Sequence, residues 1–231
     1  MNEKNPHRPA CPRALNADFG RELVEYLGGD PSPIEDGWCW KEFAAEYGKD
    51  KALVEKAFEY FRTAQEGDPA WGIYQLAYCC GLDVDRAFKA VVQIKVGNPA
   101  FSIYYLACYC DLDAERAFEA VRKVEVGDPA YAIYRMVDEG MLDLERALAA
   151  ILEIEIGRPA FAIYLLAHYC GLDVERALTA IREIKVGNPA PALCLLVRNH
   201  KLGVERAIEA LRGMPRGSVY IAELEVFAHG Q

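Results

Sequence analysis

Hydrophobic and polar positions recur along this chain with a period of 30 residues. A phrase that reads Gly-Asp/Asn/Arg-Pro-Ala begins five times without an intervening insertion, at Gly67, Gly97, Gly127, Gly157 and Gly187. Each unit of 30 residues contains two stretches of apolar residues at helical spacing, which in residues 97–126 lie at 103–110 and 117–124. A repeat of this length predicts one supersecondary unit that is copied along the chain. We name each unit by the number of its first residue.

Helix start and stop signals divide each unit into two helices. A proline such as Pro69 suits the first turn of a helix, and an Asp or Asn before it is a good N-cap, as at Asp68, Asn98, Asp128 and Asn188. The second helix also has a predicted cap, at Asp83, Asp113, Asp143 and Asp173. Gly81 and Gly171 can adopt the left-handed conformation that ends a helix. Each unit therefore predicts an antiparallel pair of helices of about a dozen residues each.

A lone helical hairpin cannot bury both of its faces, so neighbouring units must stack. The predicted fold class is all-α, an α-solenoid of stacked antiparallel helix pairs with a 30-residue repeat. We predict a capping helix and linker at 1–36 and a capping helix at 217–231. The repeat region between them, 37–216, has predicted units starting at 37, 67, 97, 127, 157 and 187.

Both predicted capping helices have an apolar stripe. In the first it consists of Phe19, Leu23, Val24 and Leu27. If the last helix leaves Tyr220, Leu224 and Phe227 uncovered, we expect an end-to-end homodimer, and otherwise a monomer.

Residues 54–80, VEKAFEYFRTAQEGDPAWGIYQLAYCC, resemble Sel1-like repeats of the tetratricopeptide superfamily. The matching positions are Ala57, Phe58, Ala64, Gly67, Pro69, Leu76 and Ala77. The units here are shorter than Sel1 units, and Ala77 stands where that family usually has glycine. The unit length and the stretch DVERALTAI are also similar to short HEAT-like repeats of the phycobilisome-lyase type. Both resemblances imply an α-solenoid and imply protein binding more often than catalysis.

Charge and composition exclude some classes of function. The chain has 35 acidic and 26 basic residues, a net charge of −9, which argues against a nucleic-acid binder. It has no apolar run of roughly 18 residues for a membrane span and no secretory leader, so we expect a cytoplasmic protein without a membrane partner. The eight cysteines are then expected to be reduced and to serve as small buried hydrophobes.

Three rows of residues on the first helix lie opposite its core stripe and form the predicted partner-binding face. The first row is aromatic in four units: Trp71, Phe101, Tyr131 and Phe161. The second row includes Gln75, Tyr105 and Arg135. The third row changes in every unit: Tyr78, Cys108, Asp138, His168 and Arg198. In a tetratricopeptide-like register these rows line the concave face; alternatively, the rings pack helix against helix between neighbouring units.

A catalytic or metal-binding cluster is suggested by His168 and Cys170, but the repeat explains the residues around them. Asp173 is a predicted helix cap, and the pair Glu175–Arg176 recurs in every unit as an acid followed by arginine. We interpret these arginines as partners in ion pairs between units or as a solvated face. No paired Cys-x-x-Cys spacing is present. We therefore predict no catalytic residue, no metal site and no cofactor.

The favoured functional hypothesis is a non-enzymatic scaffold or adaptor that binds a protein or peptide on the first-helix face. One alternative is a HEAT-like enzyme or lyase subunit that uses its Cys and His residues. A second is an acidic inhibitor that occupies the nucleic-acid-binding site of a partner protein.

Overall fold

A computed structural model describes residues 17–29, 40–200, 202–212, 214 and 217–229, and these residues form fourteen α-helices without a β-strand. The helices are α1 Ala17–Leu27, α2 Trp40–Glu46, α3 Lys51–Thr63, α4 Pro69–Cys80, α5 Val84–Val91, α6 Pro99–Tyr109, α7 Ala114–Val121, α8 Pro129–Asp138, α9 Leu144–Leu152, α10 Pro159–Tyr169, α11 Val174–Glu183, α12 Ala190–His200, α13 Val204–Leu211 and α14 Gly217–His229.

The helices are stacked in two layers. The first helices of the units (α4, α6, α8, α10 and α12) pack directly against one another. Each second helix (α5, α7, α9, α11 and α13) packs against the first helix of its own unit and against the helix that begins the next. Before the repeats, α2 packs on α4, α3 packs on α4, and α1 packs on α3; after them, α14 packs on α12 and α13. The predicted all-α solenoid is therefore confirmed.

The core runs without interruption through the stack because the same positions are buried in every unit. Ile73 and Leu76 of α4 are fully buried, as are their equivalents Ile103, Leu106, Ile133, Met136, Ile163, Leu166, Leu193 and Leu196. Burial of one such side chain stabilises a protein by about 1.5–3 kcal/mol. Each unit buries these side chains only against its neighbours, so the stack is a one-dimensional series of similar interfaces.

Two of the four predicted caps before the first helices, Asp68 and Asn98, differ from the prediction, whereas Asn188 Oδ1 accepts a hydrogen bond from the backbone N–H of Ala190 (3.2 Å). Neither Asp68 nor Asn98 caps its own helix through its side chain. Instead, Asp68 Oδ1 accepts a hydrogen bond from the backbone N–H of Asn98 (3.3 Å), and Asn98 Oδ1 accepts one from that of Asp128 (3.2 Å). Asp128 Oδ1 accepts in turn from the N–H of Arg158 (3.2 Å), and more weakly from Tyr131 in its own helix (3.4 Å). We call this series the Asx ladder; it ties units 67, 97, 127 and 157 together.

The Asx ladder explains why glycine precedes Asn98, Asp128 and Arg158. Gly127 has a φ of +77°, and a Cβ atom there would lie 2.6 Å from Asn98 Oδ1. Gly97 and Gly157 are in the same situation, with a ladder oxygen at 2.7 and 2.8 Å. Arg158 replaces Asp or Asn in its unit, and Gly187 accordingly faces no ladder side chain. Glycine is therefore favoured for two reasons: it adopts the left-handed backbone conformation without strain, and it has no Cβ to clash with the preceding unit.

The second helices are joined by charged side chains. Their predicted caps are confirmed: Asp83, Asp113, Asp143 and Asp173 each accept a hydrogen bond from the backbone N–H three residues later, at 2.8–3.0 Å. The arginine of each unit pairs with an acid of the preceding unit, in Arg86–Glu55, Arg116–Asp85, Arg146–Glu115, Arg176–Glu145 and Arg206–Glu175. The interpretation of these arginines as inter-unit ion pairs is confirmed. Because they are partly exposed, each pair is individually weak and sensitive to salt.

The first helices end as predicted, on a left-handed residue. Gly81 (φ +70°) and Gly171 (φ +77°) have this conformation, and Leu82 N–H then donates to Leu76 O at 3.1 Å, which closes the helix end. Asp111 occupies the equivalent place in unit 97 with a φ of +59°. In unit 127, Gly140 takes the left-handed conformation one position earlier, so α8 is shorter than its counterparts.

At the two ends of the stack, some apolar side chains are covered, whereas Tyr26 of α1 and Val219 and Val226 of α14 are exposed. Leu23, Val24 and Leu27 of α1 are buried; the side chain of Phe19 lies outside the described residues, as do Cys11, Cys39 and the predicted boundary at residue 36. In α14, Leu224 is fully buried and Tyr220 and Phe227 are half-buried. Of the three residues only Leu224 is fully covered, so the choice between a monomer and an end-to-end homodimer stays a prediction. No helix within the described ranges is both long and apolar enough to cross a bilayer.

Candidate partner-binding face

The predicted aromatic row of the first helices packs between units and also remains partly exposed. Trp71, Phe101, Tyr131 and Phe161 are all half-buried. The rings of Phe101 and Tyr131 are stacked, with centroids 5.2 Å apart and an interplanar angle of 11°. Trp71 meets Tyr105 of the next unit edge-on, at 5.1 Å. The rings therefore pack between neighbouring units and keep a partly exposed edge; that this row lines a concave binding face stays a prediction.

Tyr105 is the centre of a wider group of rings. It contacts Phe101 at 5.5 Å and Tyr109 at 5.7 Å, in addition to Trp71. Tyr109 contacts Tyr78 of the preceding unit at 6.0 Å. These contacts make one connected group on α4, α6 and α8, which we call the ring surface and define as Trp71, Tyr78, Phe101, Tyr105, Tyr109 and Tyr131. All six side chains are half-buried.

Four buried tyrosines recur at one position of the first helices. Tyr74, Tyr104, Tyr134 and Tyr164 are 1–5% exposed and occupy one position of successive units. Burial raises the pKa of Tyr74, Tyr104 and Tyr134 well above the usual range, so all three are neutral at physiological pH. The Tyr104 hydroxyl accepts a hydrogen bond from Arg135 Nη2 at 3.3 Å, and the Tyr164 hydroxyl accepts one from Asn199 Nδ2 at 2.7 Å. The rings of Tyr74, Tyr104 and Tyr134 contact Trp71, Phe101 and Tyr131 respectively, and so support the ring surface from below.

Gln75 was predicted as a partner-binding residue, and the structure corrects this. Its side chain is 0% exposed, on a helix that packs against α2, α3, α5 and α6. The Cys79 thiol donates to Gln75 Oε1 at 3.4 Å, while Gln75 Nε2 is buried without a hydrogen-bond partner. The helical wheel placed Gln75 on the face opposite the core, but it did not include the neighbouring unit.

A charged group borders the ring surface in unit 127. Arg135 Nη2 lies 2.9 Å from Glu139 Oε1, and Arg135 Nη1 lies 3.6 Å from Asp138 Oδ2. The predicted contact residue Cys108 is adjacent, with its Sγ 3.5 Å from Met141 Sδ. Arg135 and Asp138, which the sequence assigned to different rows, are therefore brought together as an ion pair on one edge of the face.

The third row continues with exposed polar residues in the last two units. His168 is exposed, and its Nδ1 lies 3.0 Å from Nε2 of His200 in the next unit. Arg198 is exposed and pairs with Glu223 of α14. The sequence missed His200 and Tyr109, because both lie outside the three rows and only the stacking of units brings them to this face.

Burial raises the pKa of five of the thiols on the described residues. Cys79, Cys80, Cys108, Cys110, Cys170 and Cys194 are free. Burial raises the pKa of Cys108 and Cys170 to about 11, and that of Cys80 and Cys110 to about 12. A catalytic thiol instead requires a lowered pKa. Among the described residues, moreover, no three His, Cys, Asp or Glu side chains come together in a way that could hold a metal ion.

Comparison of the chain with protein-family models, with curated proteins and with solved structures gives no match. The resemblance to Sel1-like, tetratricopeptide and HEAT-like repeats therefore rests on the residues quoted above, and the helical-repeat architecture rests on the helix packing.

Proposed function

We propose that this chain is a non-enzymatic cytoplasmic scaffold that binds a protein or peptide through the ring surface of its first-helix layer. The observation that carries the proposal is the connected group of six half-buried rings from three consecutive units. Aromatic side chains supply large contact areas and are enriched among the residues that dominate binding energy. Because each ring is already held by its neighbours, little conformational entropy is lost when a partner binds.

The helix packing favours this layer as the inner side of the stack. First helices of successive units pack closely, whereas the second helices make few backbone contacts with each other within the described ranges. A stack of wedge-shaped units curves towards the layer in which neighbours are closer. The ring surface is then expected to line a concave groove, the usual binding surface of helical repeat proteins.

The polar residues along the third row supply a basis for specificity. They change from Tyr78 and Cys108 to Asp138, His168 and Arg198, while the framework beneath them stays the same. Charged groups at the border of an interface select partners and orient them more than they add affinity. We therefore expect the rings to provide affinity and the third row to provide selectivity.

Site-specific photocrosslinking in the native host tests this proposal. A photoreactive phenylalanine analogue replaces Tyr131 on the ring surface or, as the matched control, Val92, an apolar residue that is 38% exposed on the opposite layer. We expect a discrete adduct from position 131 that position 92 does not give. Excess unlabelled wild-type chain should suppress the adduct at least tenfold better than the double variant Tyr78→Lys/Tyr131→Lys, with circular dichroism verifying that the variant is folded.

The same adduct from both positions, or equal competition by the double variant, would contradict the proposal. Salt distinguishes the acidic-inhibitor alternative. Binding dominated by rings should weaken only modestly in about 0.5 M NaCl, whereas binding dominated by charge should be lost.

A further inference from the structure

Two histidines from neighbouring units face each other at the end of the first helices. His168 on α10 and His200 on α12 have ring centroids 5.0 Å apart and nearly perpendicular planes (89°). His168 Nδ1 lies 3.0 Å from His200 Nε2, although the two residues are 32 positions apart in the chain. His168 is exposed and His200 is half-buried, so solvent reaches the pair.

Tyr164 holds both imidazoles in place. Its ring stacks on His168 at 5.5 Å (19°) and meets His200 edge-on at 6.1 Å. The Tyr164 hydroxyl is fixed by Asn199, and the Tyr164 side chain is only 5% exposed. The ring nitrogens therefore belong to a pair that is positioned by packing on both helices, unlike two histidines that happen to be close on a mobile surface.

The separation of the two nitrogens matches that of two ligands on one metal ion. With metal–nitrogen bonds of about 2.05 Å, two imidazole nitrogens are about 2.9 Å apart at a ligand–metal–ligand angle of 90° and about 3.4 Å apart at the tetrahedral angle. The observed 3.0 Å lies within this range. In the structure the two nitrogens share a hydrogen bond, and the exposed His168 ring would have to rotate on its Tyr164 contact for both lone pairs to point at one ion.

We infer that His168 and His200 form a binding site for a divalent transition-metal ion that links units 157 and 187. Imidazole suits Ni²⁺, Cu²⁺ and Zn²⁺ rather than Mg²⁺ or Ca²⁺, which prefer oxygen ligands. Two protein ligands leave the remaining coordination positions to water or to a side chain of another molecule. The ion would cross-link α10 and α12 and would place a positive charge on the first-helix face of a chain whose net charge is −9. This inference does not depend on the proposed scaffold function.

Titration of the tag-free full-length chain with Ni²⁺ tests the inference. The chain has four histidines, His7, His168, His200 and His229, so the double variant His7→Gln/His229→Gln is a matched control. By isothermal titration calorimetry at about pH 7.5 with a non-thiol reductant, we expect one principal site in the wild type and in this control. His168→Gln and His200→Gln should each weaken binding at least tenfold, and Mg²⁺ should not bind at this site.

Thermal unfolding gives a second readout, because an ion that binds only the folded chain stabilises it. Ni²⁺ should raise the melting temperature of the wild type and of the control, but not that of His168→Gln. His168 is exposed, so this variant should keep the circular dichroism spectrum of the wild type and decide the question even if His200→Gln folds poorly. Equal Ni²⁺ affinity in the wild type and His168→Gln, or absence of binding by the wild type, would overturn the inference.

Discussion

The substitution Gly127→Ala tests the Asx ladder most sharply, because glycine there meets two separate requirements. A Cβ at residue 127 would lie 2.6 Å from Asn98 Oδ1 and 3.0 Å from the backbone Asn98 Cα, and the φ angle is +77°. Two other glycines share the backbone conformation without the close contact. At Gly67 (φ +73°) a Cβ would meet nothing within 4 Å, and at Gly187 (φ +71°) the nearest atom is Gly157 O at 3.3 Å.

The expected losses of stability follow from these differences. A left-handed conformation costs alanine about 1–2 kcal/mol, and the lower entropy of the unfolded chain returns about 0.4–1 kcal/mol of it. Gly67→Ala should therefore reduce the free energy of unfolding by about 1 kcal/mol. Gly127→Ala should also displace Asn98, which removes a hydrogen bond worth about 0.5–1.5 kcal/mol and leaves the Asp128 N–H without its acceptor. We expect Gly127→Ala to reduce the free energy of unfolding by about 3 kcal/mol in total.

Urea denaturation followed by circular dichroism measures the three variants on one scale. A helical stack can unfold in parts, which would change the slope of the free energy of unfolding against urea concentration. The comparison therefore requires the same slope in all variants. The double variant Asn98→Ala/Gly127→Ala provides the decisive comparison: it should lose less stability than the sum of the single variants, since the displaced oxygen is absent. Equal losses for the alanine variants at residues 67, 127 and 187, or strict additivity in the double variant, would refute the role given to the ladder.

Four further predictions concern single positions. Asp111→Gly should stabilise the chain by about 0.5–1 kcal/mol in urea denaturation, because it relieves the left-handed strain at φ +59°. Arg158→Asn should extend the Asx ladder to the next unit and raise the urea midpoint, and an unchanged or lower midpoint would contradict this. Arg146→Met keeps the packing on Phe118 but removes the ion pair with Glu115, so its small loss of stability should vanish in about 1 M NaCl. The Cys108 thiol, with a pKa of about 11, should be alkylated more than a hundredfold slower at pH 8 in the folded chain than in urea, and faster as the pH rises towards 11, as mass spectrometry of the labelled peptide would measure.

Much of the fold could be predicted because the same helix start and stop residues recur in several units. The prolines at the start of the first helices, the aspartates that cap the second helices and the left-handed Gly81 and Gly171 act within a few residues, so the sequence alone reveals them. The Asx residues before the prolines satisfy the same local rule, yet in the structure Asp68 and Asn98 bond to the next unit. A side chain with both a local and a distant partner available cannot be assigned from spacing alone.

The candidate site was harder to predict because it depends on contacts between units. The wheel placed Trp71, Phe101 and Tyr131 away from the core stripe, where they are half-buried, but it left Gln75 exposed and omitted Tyr109 and His200. A helical wheel describes one helix, whereas burial at this face is decided by the next first helix about 10 Å away. The sequence nevertheless indicated the position of His200. It lies 32 residues after His168, and residues separated by about one repeat of 30 lie close together in adjacent units.

The central claim is that the units are interchangeable members of one stack, and small-angle X-ray scattering on a chain without residues 97–126 tests it most directly. This deletion joins Val96 to Gly127 and preserves the period of the remaining units. Because each unit contacts only its neighbours, the shortened chain should fold with the same helicity per residue and with a maximum dimension smaller by about one helix spacing, roughly 10 Å. A collapsed or unfolded scattering profile, or a maximum dimension that does not change, would contradict the account.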